Sequence, residues 1–180
     1  MQLLDAPAAR QVFNELFDTA RTSMFKVEVL QDYSAIDDSP SLRAWTKGDK
    51  QLARKRATHD KAIIAWRNRC LASPADIIRI HIIKEPLTPY LEWEIEMPYK
   101  ESILKYKAED VRLVHAEEFS QLSIPDGDFW IFDDAQVLEW IYGDDGLIIG
   151  GKVWKGNEDI TPFLNLKKEL LINAESVTGP

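Results

Sequence analysis

The stretch Ile77-Ile78-Arg79-Ile80-His81-Ile82-Ile83 decides the fold. Ile78, Ile80 and Ile82 alternate with Arg79 and His81, the period of two that an extended chain imposes on its side chains. Isoleucine occurs on both faces, so this strand belongs inside a sheet rather than at its margin. Arg79 and His81 share one face of it.

Working outward, Ser23 to Leu30 shows the same period, with Phe25, Val27 and Val29 opposite Lys26 and Glu28. Val111 to His115 is a third short strand. Phe129 to Phe132, Val137 to Tyr142 and Leu147 to Trp154 are apolar and aromatic runs. The turn-forming groups Asp133-Asp134 and Gly143-Asp144-Asp145-Gly146 separate them, which predicts an antiparallel meander. Between these strands the apolar spacing changes to three and four. Ala9, Val12, Phe13, Leu16, Phe17 and Ala20 predict a helix over 7–21, with Asp5 as a candidate N-cap. Leu42 to Leu71 reads as helical with Gly48 as a point of interruption. Thr88 to Tyr106 reads as helical with Pro98 kinking or dividing it. Thr161 and Pro162 open a closing helix through Leu170 and Ala174. The expectation is one α+β domain over residues 1–180, with residues 176–180 frayed. Its single mixed, largely antiparallel sheet ends in a C-terminal meander and is packed by N-terminal, central and C-terminal helices.

Charge separates the central helical segment from the rest. The chain carries 22 Lys and Arg against 30 Asp and Glu, a net charge of −8, yet 47–71 holds eight basic residues and two acids. That segment is therefore +6 and the remainder −14. On one continuous helix, Lys47, Lys50, Arg54 and Lys61 fall within roughly 60° of one another, a basic stripe. Leu52, Ile63, Trp66 and Cys70 gather opposite them. The acidic surroundings and the lack of a stacking aromatic within the stripe disfavour direct nucleic-acid contact. The same polarity suits a protein partner steered by complementary charge.

Catalytic patterns are missing from the sequence. The histidines His59, His81 and His115 fall in no metal-ligand spacing, so no metal is expected. There is no GxSxG elbow and no GxGxxG or GxxxxGK phosphate loop, and no cofactor is implied. Cys70, the sole cysteine, excludes an intrachain disulfide. No apolar run approaches the roughly 20 residues of a membrane span, and a cytoplasmic location is the expectation.

Two constellations remain as candidates. In Asp128-Phe129-Trp130-Ile131-Phe132-Asp133, alternation puts Asp128, Trp130 and Phe132 on one face. That face is either core with turn-capping aspartates or a carboxylate and an indole offered to a ligand. Arg79 and His81, with Glu28 and either Glu92 or Glu94, form either a salt-bridged group within the sheet or the polar lining of a cavity.

LFDTAR near Phe17, IIRIHIIKEP and LTPYLEWE over 77–94, AEDVRLV over 108–114, and DGDFWIFDD over 126–134 followed by YGDDG together resemble an actinobacterial family of unknown function. Its members carry a DFWLFD-type motif, and many are encoded beside helix-turn-helix regulators. The resemblance brings no catalytic residue or cofactor. It implies a regulatory neighbour. Two departures stand out: His81 replaces a more usual arginine, and Lys107-Ala108-Glu109 replaces an Ala-Gly-Glu type turn. The leading expectation is a noncatalytic binding or regulatory protein that recognises a protein partner, with a helix-turn-helix regulator as the candidate. The alternative is a small-molecule sensor or small enzyme. Its pocket would lie between the sheet and the 88–106 helix, walled by Tyr90, Trp93 and Trp130, with Arg79, His81, Glu94 and Asp128 as polar groups.

Overall fold

The computed structural model describes residues 1–119, 125, 127–156 and 158–177. The strands are β1 (Gln2–Asp5), β2 (Ser23–Glu28), β3 (Asp76–Ile83), β4 (Asp110–His115), β5 (Phe129–Phe132), β6 (Gln136–Tyr142), β7 (Ile148–Trp154) and β8 (Glu175–Ser176). They form one mixed sheet in the order β1-β7-β6-β5-β2-β3-β4-β8. β3 lies inside the sheet, parallel to both β2 and β4, and every other pairing is antiparallel. The fold is α+β, with the meander β5-β6-β7.

The helices are α1 (Ala6–Thr19), α2 (Pro40–Trp45), α3 (Lys50–Ala57), α4 (Lys61–Ala72), α5 (Pro89–Glu94) and α6 (Thr161–Asn173). A π-helix, Ile95–Leu104, continues α5, and a 3₁₀ turn spans Ala116–Phe119. Asp5 starts α1 by accepting from the Ala8 N–H at 2.9 Å.

Each sheet face meets its own helices. Phe25, Val27, Ile80, Ile82, Phe129 and Ile131 point to the side covered by Leu166 and Leu170 of α6. Met24, Ile77, Trp130, Phe132 and Leu138 point the other way, toward Leu16 and Phe17 of α1 and Tyr99 and Ile103 of the π-helix. A third cluster joins Trp45 of α2, Ala53 of α3 and Trp93 of α5 beyond the end of β3.

The central segment departs from the sequence reading. It folds as three short helices, because two aspartates restart the chain. Asp49 accepts from the Leu52 N–H, and Asp60 accepts from Ala62 and Ile63. Gly48, at φ 83°, turns the chain between α2 and α3. Lys47, Lys50, Arg54 and Lys61 are exposed but do not form the stripe of one helix. Lys50 lies over the Trp45 ring at 4.5 Å, and Arg54 pairs with Glu101 at 2.8 Å. The carboxyl-terminal expectation also needs correction: Ser176 pairs with Arg112 in β8, while residues 178–180 lie outside the described residues.

Asp133 ties the β5–β6 turn to the start of β2. Its carboxylate accepts from the main-chain N–H groups of Arg21, Thr22 and Ser23 and from the Thr22 hydroxyl, at 2.7 to 3.1 Å. Burial opposes its ionisation, but these donors outweigh it and hold the carboxyl at about 2. A folded pKa below the unfolded value stabilises the fold above about pH 4, and that contribution is lost as pH falls toward 2. Asp133→Asn is expected to cost about 1–2 kcal/mol at pH 7. In urea titrations across pH 2 to 7, the deficit should shrink toward the acid end.

Candidate functional site

Parallel pairing of β2 with β3 sets Lys26 beside Arg79 and Glu28 beside His81. Antiparallel pairing of β2 with β5 sets Lys26 beside Trp130. These side chains project from one sheet face, and the space above them is bounded by α1, α4, α5 and the loop 33–40. The resulting cleft has a volume of about 650 Å³. Phe13, Trp66, Trp130, Trp140, Tyr33 and Tyr142 supply its aromatic walls, and Lys26, Glu28, Arg79, Glu94 and Asp128 its polar floor.

Arg79 organises that floor. Its Nη1 donates to Glu28 Oε1 at 2.8 Å, and Nε and Nη2 grip both oxygens of Glu109 at 2.8 and 3.0 Å. The fork geometry of guanidinium suits this bidentate grip. Trp66 Nε1 donates to the same Glu109 at 2.5 Å, which ties α4 to the network. Glu28 also accepts from Lys26 and from the Tyr99 hydroxyl, the latter at 2.7 Å. Burial alone would push the Glu28 carboxyl up, but Arg79, Lys26 and His81 hold it well below the usual carboxylate range.

His81 is fully buried beneath this floor. Its Nε2 donates to the Leu30 carbonyl at 2.9 Å. The Tyr99 hydroxyl gives its proton to Glu28, so the 3.0 Å bond between Tyr99 and His81 Nδ1 assigns a second proton to the ring. Burial disfavours that charge. The carboxylates of Glu94 and Glu28, 3.3 and 3.6 Å from Nδ1, overcome it and raise the imidazole pKa. Asp128 accepts from the Val29 N–H and from the Tyr33 and Tyr142 hydroxyls, at 2.8 to 2.9 Å. Its burial and its proximity to Glu28 push its carboxyl up.

Glu28, His81 and Glu94 place three ligand-type atoms within 4.8 Å of one another. The group does not fit a metal ion as it stands. Both imidazole nitrogens are engaged as donors, and Glu28 is saturated by Arg79, Lys26 and Tyr99. Nor is Cys70 poised as a nucleophile: burial, with Glu109 alongside, pushes its thiol far up.

Of the residues singled out from sequence, Arg79, Tyr90, Glu94, Asp128 and Trp130 line the cleft. His81 lies behind it. Trp93 is not a wall: its indole turns away and donates to Ser41 Oγ at 3.0 Å within the third cluster. Tyr90, Glu94 and Pro98 follow one another at intervals of four and form the cleft side of the helix, whereas Trp93 and Met97 form its core side. Glu92 is exposed, so Glu94 is the glutamate of that helix which meets His81. Tyr33, Asp37, Tyr99 and Glu109 were missed. They sit in a loop, in the π-helix and just before β4, where no period assigns a face.

The sequence matches the model of a domain of unknown function, DUF6879, over residues 11–178, and the chain belongs to that family. No curated protein matches it. Among solved structures it is similar to TrmBL2, described as an archaeal chromatin protein with a novel mode of DNA binding. The identity is 12%, the TM-score 0.43, and the match covers 96% of this chain and 51% of that one. The chain thus spans about half the length of that structure. This neighbour overturns the preference for a protein partner over nucleic acid, and that preference is withdrawn. A likeness this distant carries no role across to the present chain. No helix among the described residues is long and apolar enough to cross a membrane.

Removing Arg79 strands two buried carboxylates. Arg79→Met is expected to cost about 3–5 kcal/mol in urea unfolding at pH 7. His81 titrates with the opposite sign to Asp133. Its folded pKa is raised, so its contribution is complete below the ordinary value of 6.5 and is lost as pH rises through the folded value. The stability margin of the natural protein over His81→Gln should therefore be widest at and below about pH 6.5 and narrow at alkaline pH.

Proposed function

We propose that this chain is a noncatalytic, regulatory ligand-binding protein whose cleft takes a small organic molecule. The observation that carries the reading is the convergence of Arg79, Glu94, Asp128 and Trp130, from three elements, on one aromatic-walled space of about 650 Å³. Ligand sites combine apolar walls with a few placed polar groups, and this cleft has that composition. The floor supports binding rather than chemistry. Its imidazole, guanidinium and central carboxylate are engaged with one another, so none of these three stands ready as a base or nucleophile toward a substrate.

Thermal unfolding in the presence of a chemically diverse fragment set tests this. A ligand at about 100 times its Kd stabilises the fold by roughly 2.7 kcal/mol, a readily measured rise in Tm. Ala62→Phe, at the exposed rim of the cleft, should abolish or strongly reduce the rise. The reading fails if no fragment shifts the natural protein, or if the shifts survive Ala62→Phe unchanged.

A further inference from the structure

We propose that the molecule bound in the cleft is an organic cation, a protonated amine or guanidinium joined to an apolar body, with its charge seated against Glu94 and Asp37. This deepens the ligand-binding reading above and rests on it. Glu94 is the carboxylate at the edge of the floor that lacks a full set of hydrogen bonds. It is buried and lines the cleft; its Oε2 faces the His81 imidazolium at 3.3 Å but has no hydrogen-bond partner. The other oxygen receives only a long 3.5 Å contact from the Tyr90 hydroxyl. The imidazolium offsets part of the cost of burying that charge, and a ligand N–H aimed at the carboxylate supplies the hydrogen bond it lacks.

Charge selects the sign of the ligand. Lys26 and Arg79 are both committed to glutamates, and His81 faces Glu28 and Glu94. Against these three cations stand Glu28, Asp37, Glu94 and Asp128 in the cleft and Glu109 directly beneath it, with Asp38 and Asp60 also in the lining. Asp37 lines the cleft near Glu94, half-buried, and accepts from the Ser39 N–H at 3.0 Å, with the Tyr90 hydroxyl shared between it and Glu94. Burial and the neighbouring Glu94 push its carboxyl up, as expected where negative charge is in excess. An anionic ligand would find no free cation among the described lining residues. A neutral ligand would leave this excess in place.

The walls suit the same ligand. Tyr33 lies 5.7 Å from Tyr90 and 6.4 Å from Tyr142, ring centre to ring centre, and the three line the same cleft as Glu94 and Asp37. Aromatic faces attract ammonium and guanidinium groups most strongly where water is excluded.

The test uses three probes of similar shape: 2-phenylethylamine, 2-phenylethanol and 3-phenylpropanoate, followed by tryptophan fluorescence and by NMR of the full chain at pH 7. The amine should bind at least about tenfold more tightly than the alcohol or the acid. Glu94→Gln, which keeps the shape, should remove most of that preference, and Asp37→Asn, on the loop, should remove part of it. Circular dichroism verifies the fold of each variant, and Asp37→Asn decides alone if Glu94→Gln does not fold. If the alcohol or acid binds as well as the amine and Ala62→Phe still blocks it, the cation assignment is wrong while the cleft reading stands. If none of the three binds the natural protein, the cation assignment is wrong. If the fragment set also fails, both readings fall.

Discussion

A guanidinium buried in the middle of a sheet is the constraint on which the rest of this structure depends. Arg79 is 6% exposed, and removing such a charge from water costs several kcal/mol even after relaxation. The cost is offset only if carboxylates arrive with good geometry, and each that does so comes from a different part of the chain. Glu28 comes from the neighbouring strand. Glu109 comes from the segment that leads into β4, and it draws Trp66 of α4 into the same network. Satisfying one side chain therefore fixes the register of β2 on β3, the approach to β4 and the seat of α4. It also stops that sheet face from closing into plain hydrocarbon. The ion network holds a polar floor with space above it.

The two sheet faces consequently have different uses. On the α6 side, Phe25, Val27, Ile80 and Ile131 meet Leu166 and Leu170 as ordinary core, and burial there serves stability. On the opposite side, α1 covers only the meander end with Leu16 and Phe17, while Lys26, Glu28 and Arg79 keep the middle polar. A period-two strand separates these functions by face. Ile80 serves the core while Arg79 and His81, its immediate neighbours, serve the site.

That alternation is also why much of the molecule was legible beforehand. The faces of 77–83 and 128–133 follow from sequence, and so do the meander and its aspartate turn. β1 and β8 did not, because strands of four and two residues at the sheet margins contain too few alternations to register. The single basic stripe failed because Asp49 and Asp60, read as isolated acids in a basic run, act as N-caps. Trp93 failed as a cleft wall for a related reason. One step along a helix turns a side chain by about 100°, so Tyr90 and Glu94 face the cleft while Trp93 faces the core. Glu109 and Asp37 lie where neither period operates. Only the buried cation that needs the first, and the acidic cleft that contains the second, give them meaning.

The helix that carries Glu94 changes its winding where it meets the floor. Pro98 cannot donate a backbone hydrogen bond, and from Ile95 to Leu104 the chain winds in the wider π register. In an α-helix, residues five apart diverge by about 140°. The wider turn brings such a pair closer to the same side, and Glu94 and Tyr99 are such a pair. Both reach His81 Nδ1, at 3.3 and 3.0 Å, one through a carboxylate and the other through a hydroxyl already donating to Glu28. An α-helical continuation would turn Tyr99 away and leave the imidazolium with one fewer partner. The irregular winding is therefore the local adjustment that the polar floor demands. Because Tyr99 serves the floor, Glu94 sits at its edge, with Oε2 toward the imidazolium, Oε1 toward the Tyr90 hydroxyl and the cleft beside it.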